Sequence, residues 1–339
     1  MLLQEIIGHS GAQEIEAAGS IRFHATGDTG RPEGSDAQEE VAEEMATDFH
    51  PDGGGLNPAF FLHLGDIIYG HRKDALYRDE FYRPYKRYPG KILAVAGNHD
   101  GEVFRESDPQ PLRAFLANFC ASRAEVPPIA RDVRIFRETM TQPGVFWRLD
   151  APFLHLVGLY SNIAEGPGFL EGRGNDESQK TWLARTLREI RQERDAGRRK
   201  ALVFAVHHPP YSNGGHSGSS QMLATLDGIC QEAGVMPDAV LSGHSHNYQR
   251  HTRRISFEGR SMEIPFVVAG CGGHNDSSVD EAFGQVIGDR TFDRSLRGFG
   301  YLLVTASPQK LAIDLWQVPS HTDHPFDSIK VDLSTNRLV

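Results

Sequence analysis

Five short blocks constrain this chain more than any other feature: Gly27-Asp28-Thr29-Gly30, Gly65-Asp66-Ile67-Ile68-Tyr69, Gly97-Asn98-His99-Asp100, His207-His208-Pro209-Pro210 and Gly243-His244-Ser245-His246. Each follows an apolar run of strand length, at 21–26, 60–64, 92–96, 201–206 and 239–241. The runs are rich in β-branched or aromatic residues and end in Gly or Pro, which marks strand termini. A lone Gly-Asp pair is a turn, and a lone His on an apolar strand is ordinarily a core residue. Order changes that. In an α/β sheet the loops at the carboxyl ends of the strands converge on one crevice, so five such loops bring Asp, Asp, Asn, His and His-x-His together.

Carboxylate, carboxamide and imidazole donors without thiolate suit iron, manganese or zinc rather than copper(I) or an iron–sulfur cluster. Two cations about 3.5–4 Å apart need an anionic oxygen between them; together they bind substrate, lower the pKa of a bound water and stabilise attacking and leaving oxygens.

The ordered set resembles the calcineurin-like metallophosphoesterases, and within them most resembles the purple acid phosphatases, whose blocks run GDxG, GDxxY, GNH(D/E), VxxH and GHxH. The resemblance spans roughly residues 21–251. It implies that Asp28, Asp66, Tyr69 and His246 hold one metal ion and Asp66, Asn98, His207 and His244 a second, with Asp66 bridging. The implied cofactor is a pair of metal ions, iron with iron, manganese or zinc. Many broader family members carry a His ligand two residues after the first Asp; here that place is Gly30, and Tyr69 is the natural replacement. In purple acid phosphatases the corresponding phenolate binds iron(III) and gives the colour.

The same resemblance nominates His99 as the residue beside the leaving oxygen, with Asp100 orienting its ring, and His216, nine residues after His207, as a substrate contact. General acid assistance of that kind contributes about 10²–10⁴-fold. The continuation Asn247-Tyr248-Gln249-Arg250 matches GHxHxYxR, with Arg250 expected in a structural role; His208 and His274 are pocket-lining or core candidates. One departure is Phe204, which replaces the family's Val three residues before the metal-binding His.

With 339 residues, 39% hydrophobic and 24% charged, the chain has material for one large domain with a sizeable core. We expect an N-terminal extension over 1–20 and a catalytic domain over 21–339. No apolar run approaches the roughly 18 residues of a membrane span, and the first residues lack the basic and apolar regions of a signal peptide. Three widely spaced cysteines make no disulfide framework, so a cytoplasmic protein is expected, unlike many purple acid phosphatases.

The net charge of −10 is uneven. Residues 33–48 are acidic, with Val41, Met45 and Phe49 spaced by four, a solvated helix with one packed stripe. Residues 72–91 hold seven basic residues among aromatics, but Tyr77, Phe81 and Tyr85 fall at helical spacing and are expected to pack one helix face. That argues against nucleic acid as a partner and for a field that draws in a small phosphorylated substrate. Residues 101–143 read as a helical insertion over the active site, 144–149 and 153–159 as a strand pair, and 179–194 as a helix. The strand count and the resemblance together imply an α/β four-layer αββα sandwich of two mixed β-sheets flanked by helices. The expected activity is metal-dependent phosphomonoester hydrolysis through a hydroxide between the metals. The alternatives are hydrolysis of a diester such as a cyclic nucleotide, or a catalytically silent metal-binding interaction protein. Oligomeric state is not legible.

Overall fold

The computed structural model describes residues 1–31, 36–70, 73–102, 111–131, 135–172, 176–282, 284–320 and 322–339. Helix α1 (Leu3–Ala18) precedes β1 (Ile21–Thr26), α2 (Asp36–Thr47), β2 (Phe60–His63), α3 (Lys73–Tyr77), β3 (Lys91–Ala94) and α4 (Asn98–Gly101). Helices α5 (Arg113–Phe119) and α6 (Pro128–Arg131) lead to the hairpin β4 (Trp147–Ala151) and β5 (Leu154–Leu159). Next come α7 (Ser178–Asp195), β6 (Ala201–Val206), α8 (Ser220–Ala233) and β7 (Ala239–Ser242). The remainder is all strand: β8 (Tyr248–Phe257), β9 (Arg260–Ala269), β10 (Gln285–Ile287), β11 (Arg290–Leu296), β12 (Phe299–Ala306), β13 (Lys310–Val318), β14 (Asp327–Asp332) and β15 (Arg337–Leu338).

These strands form two mixed sheets, β15-β14-β13-β12-β1-β2-β3 and β10-β11-β8-β9-β7-β6-β5-β4. The runs β1-β2-β3 and β5-β6-β7-β9 are parallel. Because helices cover the outer faces, such strands are buried on both sides and read as continuous apolar stretches, as in Ala-Leu-Val-Phe-Ala-Val of β6. The period of two sorts their side chains. Phe23, Phe60, Leu62, Leu156, Val203 and Leu241 face the other sheet, where the Phe23 and Phe60 rings stack 5.0 Å apart. Phe61, Ile92 and Ala94 face outward against Val41 and Met45 of α2. On the far side Leu202, Phe204 and Val240 meet Leu183, Leu187 and Ile190 of α7 and Met222 and Leu226 of α8. Phe204 therefore alters an outer core and leaves His207 at the strand end. The result is the four-layer αββα sandwich.

Segment 1–20 carries helix α1, whose Leu3 and Ile15 join the inter-sheet core. Tyr77, Phe81 and Tyr85 are buried as expected, but no single helix carries them. An α turn gives way to a π turn at Arg78–Tyr82 and a 3-10 turn at Pro84–Arg87; Pro84, which lacks an N–H, cannot continue the ladder. Glu33 and Arg72 lie outside the described residues, as do 103–110 and 132–134 of the expected insertion. Its described helices pack through Ala114, Phe115, Phe119 and Ala130 on the 77–88 aromatics, outside the seven-stranded sheet. Cys120, Cys230 and Cys271 are free thiols. Among the described residues no helix is long and apolar enough to cross a membrane.

Candidate metal centre

The loops at the carboxyl ends of β1, β2, β3, β6 and β7 meet where the two sheets adjoin, and close approach is built into their backbones. Asp28, Asp66 and His244 all adopt left-handed conformations, with φ of 59°, 52° and 68°. Such non-glycine residues persist only where surrounding bonds hold them. Asp28 N donates to Gly65 O at 3.0 Å, and His244 N to Asp28 Oδ2 at 2.8 Å. Glycine is needed at position 97, where a Cβ would lie 2.1 Å from Asp66 Oδ1. It is needed at Gly30 too, where a Cβ would meet Ile67 O at 2.3 Å and Glu80 Oε2 at 2.6 Å. The space of a side chain at position 30 is thus filled by the Tyr69 loop itself, whose amide donates to Glu80 Oε2 at 2.8 Å.

Tyr69 Oη lies 3.4 Å from each of Asp28 Oδ1, Asp66 Oδ2 and His246 Nε2, and His246 Nε2 is 3.5 Å from Asp28 Oδ1. On the other side Asp66 Oδ2 is 3.2 Å from His207 Nε2, which is 3.1 Å from Asn98 Oδ1. Donor atoms of Asp66, His207 and His244 all lie within 4.8 Å of one another. Outer bonds orient the imidazoles: His207 Nδ1 meets Leu64 O at 2.9 Å, His244 Nε2 meets Glu165 O at 2.9 Å, and His246 Nδ1 meets Asn275 Oδ1.

These donors fit a pair of cations. Spacings near 3.4 Å suit atoms about 2.0–2.2 Å from a shared ion. Asp28 and Asp66 are buried and, among the described residues, meet amides, imidazoles and a phenol rather than Lys or Arg. Buried charges are paired or coordinate metals. Burial opposes the charge on Asp66, yet His207 beside it holds its carboxyl well below the usual range. Burial likewise opposes charge on His207, but Asp66 pushes it up to about 9. Burial, with Asp66 and Asp28 nearby, raises the Tyr69 phenol well above 10. His244 moves the opposite way, lowered by burial and by His207. A second trio, Asp150, His155 and Glu193, is a different kind of cluster: Arg148 and Lys200 already pair its carboxylates.

His99 stands at the rim with its amide on Asp66 Oδ1 at 2.9 Å and its ring 4.5 Å from that of Tyr69. The expected partner of its ring is corrected: Nδ1 pairs with Glu102 Oε2 at 2.8 Å. Asp100 is drawn into the backbone, accepting from Gly97 N at 2.8 Å and Ile67 N at 3.1 Å, because it is the third residue of α4 and caps that helix. Despite burial, Glu102 raises the His99 pKa. The His216 ring lies 4.2 Å from that of His244 and 5.9 Å from that of His246, so this residue also reaches the centre. Burial lowers its pKa.

His274 stacks on Tyr69 at 3.6 Å and bonds Gly30 O. His208 is buried, tied to Ser161 Oγ and Ala164 O. Arg250 pairs with Asp327 at 3.0 Å, a structural contact that Tyr248 Oη shares. Three residues at the centre carried no sequence signal of their own: Glu102, Asn275 and Glu165. Glu165 had an indirect one, since it sits in the Gly/Pro-containing loop after β5, the parallel neighbour of β6.

The family model described as calcineurin-like phosphoesterase matches residues 21–248. Among solved structures the chain is similar to GAP50, the anchor in the inner membrane complex of Plasmodium, at 14% identity and TM-score 0.62, covering 92% of this chain and 89% of that one. It is similar to PhoD at 14% identity and TM-score 0.58, covering 94% and 71%. A dimetal phosphatase from Danio rerio follows at 12% identity and TM-score 0.51, covering 92% and 99%. At such identities these likenesses establish the fold alone. No curated protein matches the chain.

Proposed function

Because the chain belongs to the calcineurin-like phosphoesterases, a family of metal-dependent phosphoester hydrolases, we propose that it hydrolyses phosphomonoesters at a two-cation centre of purple acid phosphatase type. Asp28, Asp66, Tyr69 and His246 hold one ion; Asp66, Asn98, His207 and His244 hold the other. A single observation carries this reading: one oxygen, Asp66 Oδ2, lies 3.4 Å from Tyr69 Oη and 3.2 Å from His207 Nε2, so it serves both donor sets. When bound, two such cations lower the pKa of a water and stabilise attacking and leaving oxygens.

The remaining chemistry belongs to the chain. His99, with Nδ1 held by Glu102, presents Nε2 as the proton donor to the leaving oxygen. The Tyr69 ring, wedged between His274 and His99, fixes the direction from which that proton comes. His216, packed on His244, contacts the phosphoryl group from the opposite side. The substrate is a small phosphorylated molecule, taken without nucleic acid or membrane. Three free thiols support a reducing, cytoplasmic setting, in which manganese or zinc competes with iron.

The test is metal analysis together with rates on matched mono- and diesters in one preparation. About two metal equivalents and faster monoester turnover are expected. Faster diester turnover would replace the substrate class and keep the centre, and no turnover by two-metal protein would leave a scaffold.

A further inference from the structure

The loop after β5 supplies none of the expected ligands, yet it carries Glu165 to the Asn98, His207 and His244 side of the centre. Asn98 Nδ2 donates to Glu165 Oε2 at 3.2 Å while Asn98 Oδ1 stands 3.1 Å from His207 Nε2. A carboxylate only accepts and an amide NH₂ only donates, so this bond decides which end of the Asn98 amide faces the donors. The main chain of the same residue does a parallel job: Glu165 O accepts from His244 Nε2 at 2.9 Å, which leaves His244 Nδ1 as the lone pair.

The loop is braced. His208 ties Ser161 Oγ at 2.7 Å and Ala164 O at 2.8 Å, and Asn162 Nδ2 donates to Phe169 O at 3.1 Å. A third contact reaches the substrate side, where His216 Nδ1 is 3.8 Å from Glu165 Oε1.

We infer that Glu165 is the positioning residue of the second cation, setting through one side chain and one carbonyl the orientation of two of its ligands. This rests on the two-cation reading. The side chain is 64% exposed, so its removal leaves the fold intact. Manganese(II) is the probe, titrated by calorimetry into metal-free wild type, Glu165→Ala and Glu165→Gln, with bound metal counted after dialysis.

Wild type is expected to bind two equivalents. Glu165→Ala, which keeps the carbonyl on His244, loses the Asn98 contact and the 3.8 Å approach to His216, which is not a ligand. It should weaken one of the two steps by about 10–100-fold, the usual effect of losing an outer partner of a ligand. The other step should stay within about twofold. Glu165→Gln, whose amide oxygen still accepts from Asn98, should recover most of the loss. Two unchanged steps in Glu165→Ala would overturn the inference, and so would an equal loss at both steps, which marks general loosening. Fewer than two equivalents in wild type would overturn the two-cation reading itself, and the inference with it.

Discussion

Cation binding at this centre is expected to expel protons, with an affinity that rises with pH in a window set by His207. Metal ligands must be deprotonated. In the metal-free protein His207 is fully buried and, against that burial, raised by Asp66 to about 9; at pH 7 it carries a proton. A cation entering between Asp66, Asn98, His207 and His244 displaces it. His244, already lowered by burial, adds nothing. Two units below the His207 value, displacement costs about 3 kcal/mol, roughly a hundredfold in Kd.

The Kd of this step should therefore fall about tenfold per pH unit from 7 to 9 and then level off. The step involving Tyr69, raised well above 10, should keep improving across the same range without a plateau. The sign for the metal-free fold is opposite. A raised imidazole stabilises in full below its unfolded value of about 6.5, and that contribution is lost as pH rises through 9. Calorimetric titration with manganese(II) at pH 7, 8 and 9, in pairs of buffers differing in ionisation enthalpy, counts the protons. About two to three per chain are expected at pH 7, from His207, Tyr69 and His246, whose imidazole, against its burial, is raised by Asp28. A flat Kd over this range, or no proton release, would refute the pairing of His207 with Asp66 in the metal-free protein.

Replacing His99 with Ala should leave metal content near wild type and slow hydrolysis of alkyl phosphates by about 10²–10⁴-fold, with a smaller loss on an activated aryl phosphate. Equal losses on both would make His99 a phosphate-positioning group. If iron(III) occupies the Tyr69 side, Tyr69→Phe should abolish a visible absorption band at unchanged fold; a wild type with confirmed iron(III) there but no band would refute ligation by the phenol. Gly30→Ala forces a methyl against Ile67 O and Glu80 and should cost about 1–3 kcal/mol, read as a lower denaturation midpoint at unchanged slope. A variant as stable as wild type would refute the clash.

The strands that carry the centre were legible because burial on both faces makes β2, β6 and β7 largely apolar and leaves β1 an apolar framework of Ile21, Phe23 and Ala25, each run ended by a turn residue. The helices α2 and α7 were legible for the complementary reason: one packed stripe at three- and four-residue spacing. What stayed hidden was set by partners far away in the chain. Nothing near residue 300 says that β12 pairs with β1. Nothing near Glu165 says that β5 lies beside β6 and brings its loop to Asn98. The choice of Glu102 over Asp100 for His99 depended on which carboxylate the first turn of α4 consumed. The aromatic face of 77–85 was visible, while the π and 3-10 turns that bear it followed from Pro84.

The donor groups are divided between the sheets. Asp28, Asp66 and Asn98 end strands of one; His207, His244 and His246 end strands of the other. The bond from His244 N to Asp28 Oδ2 closes a span of 216 residues, and that from His207 to Leu64 one of 143. A cation pair bound here is consequently a cross-link as well as a reagent. Closing so long a loop is costly in entropy, and an ion that binds only the closed form returns stability in proportion to its own concentration. Chelation should then loosen the seam before it unfolds either sheet, and resistance to proteolysis at the junction should report on metal supply.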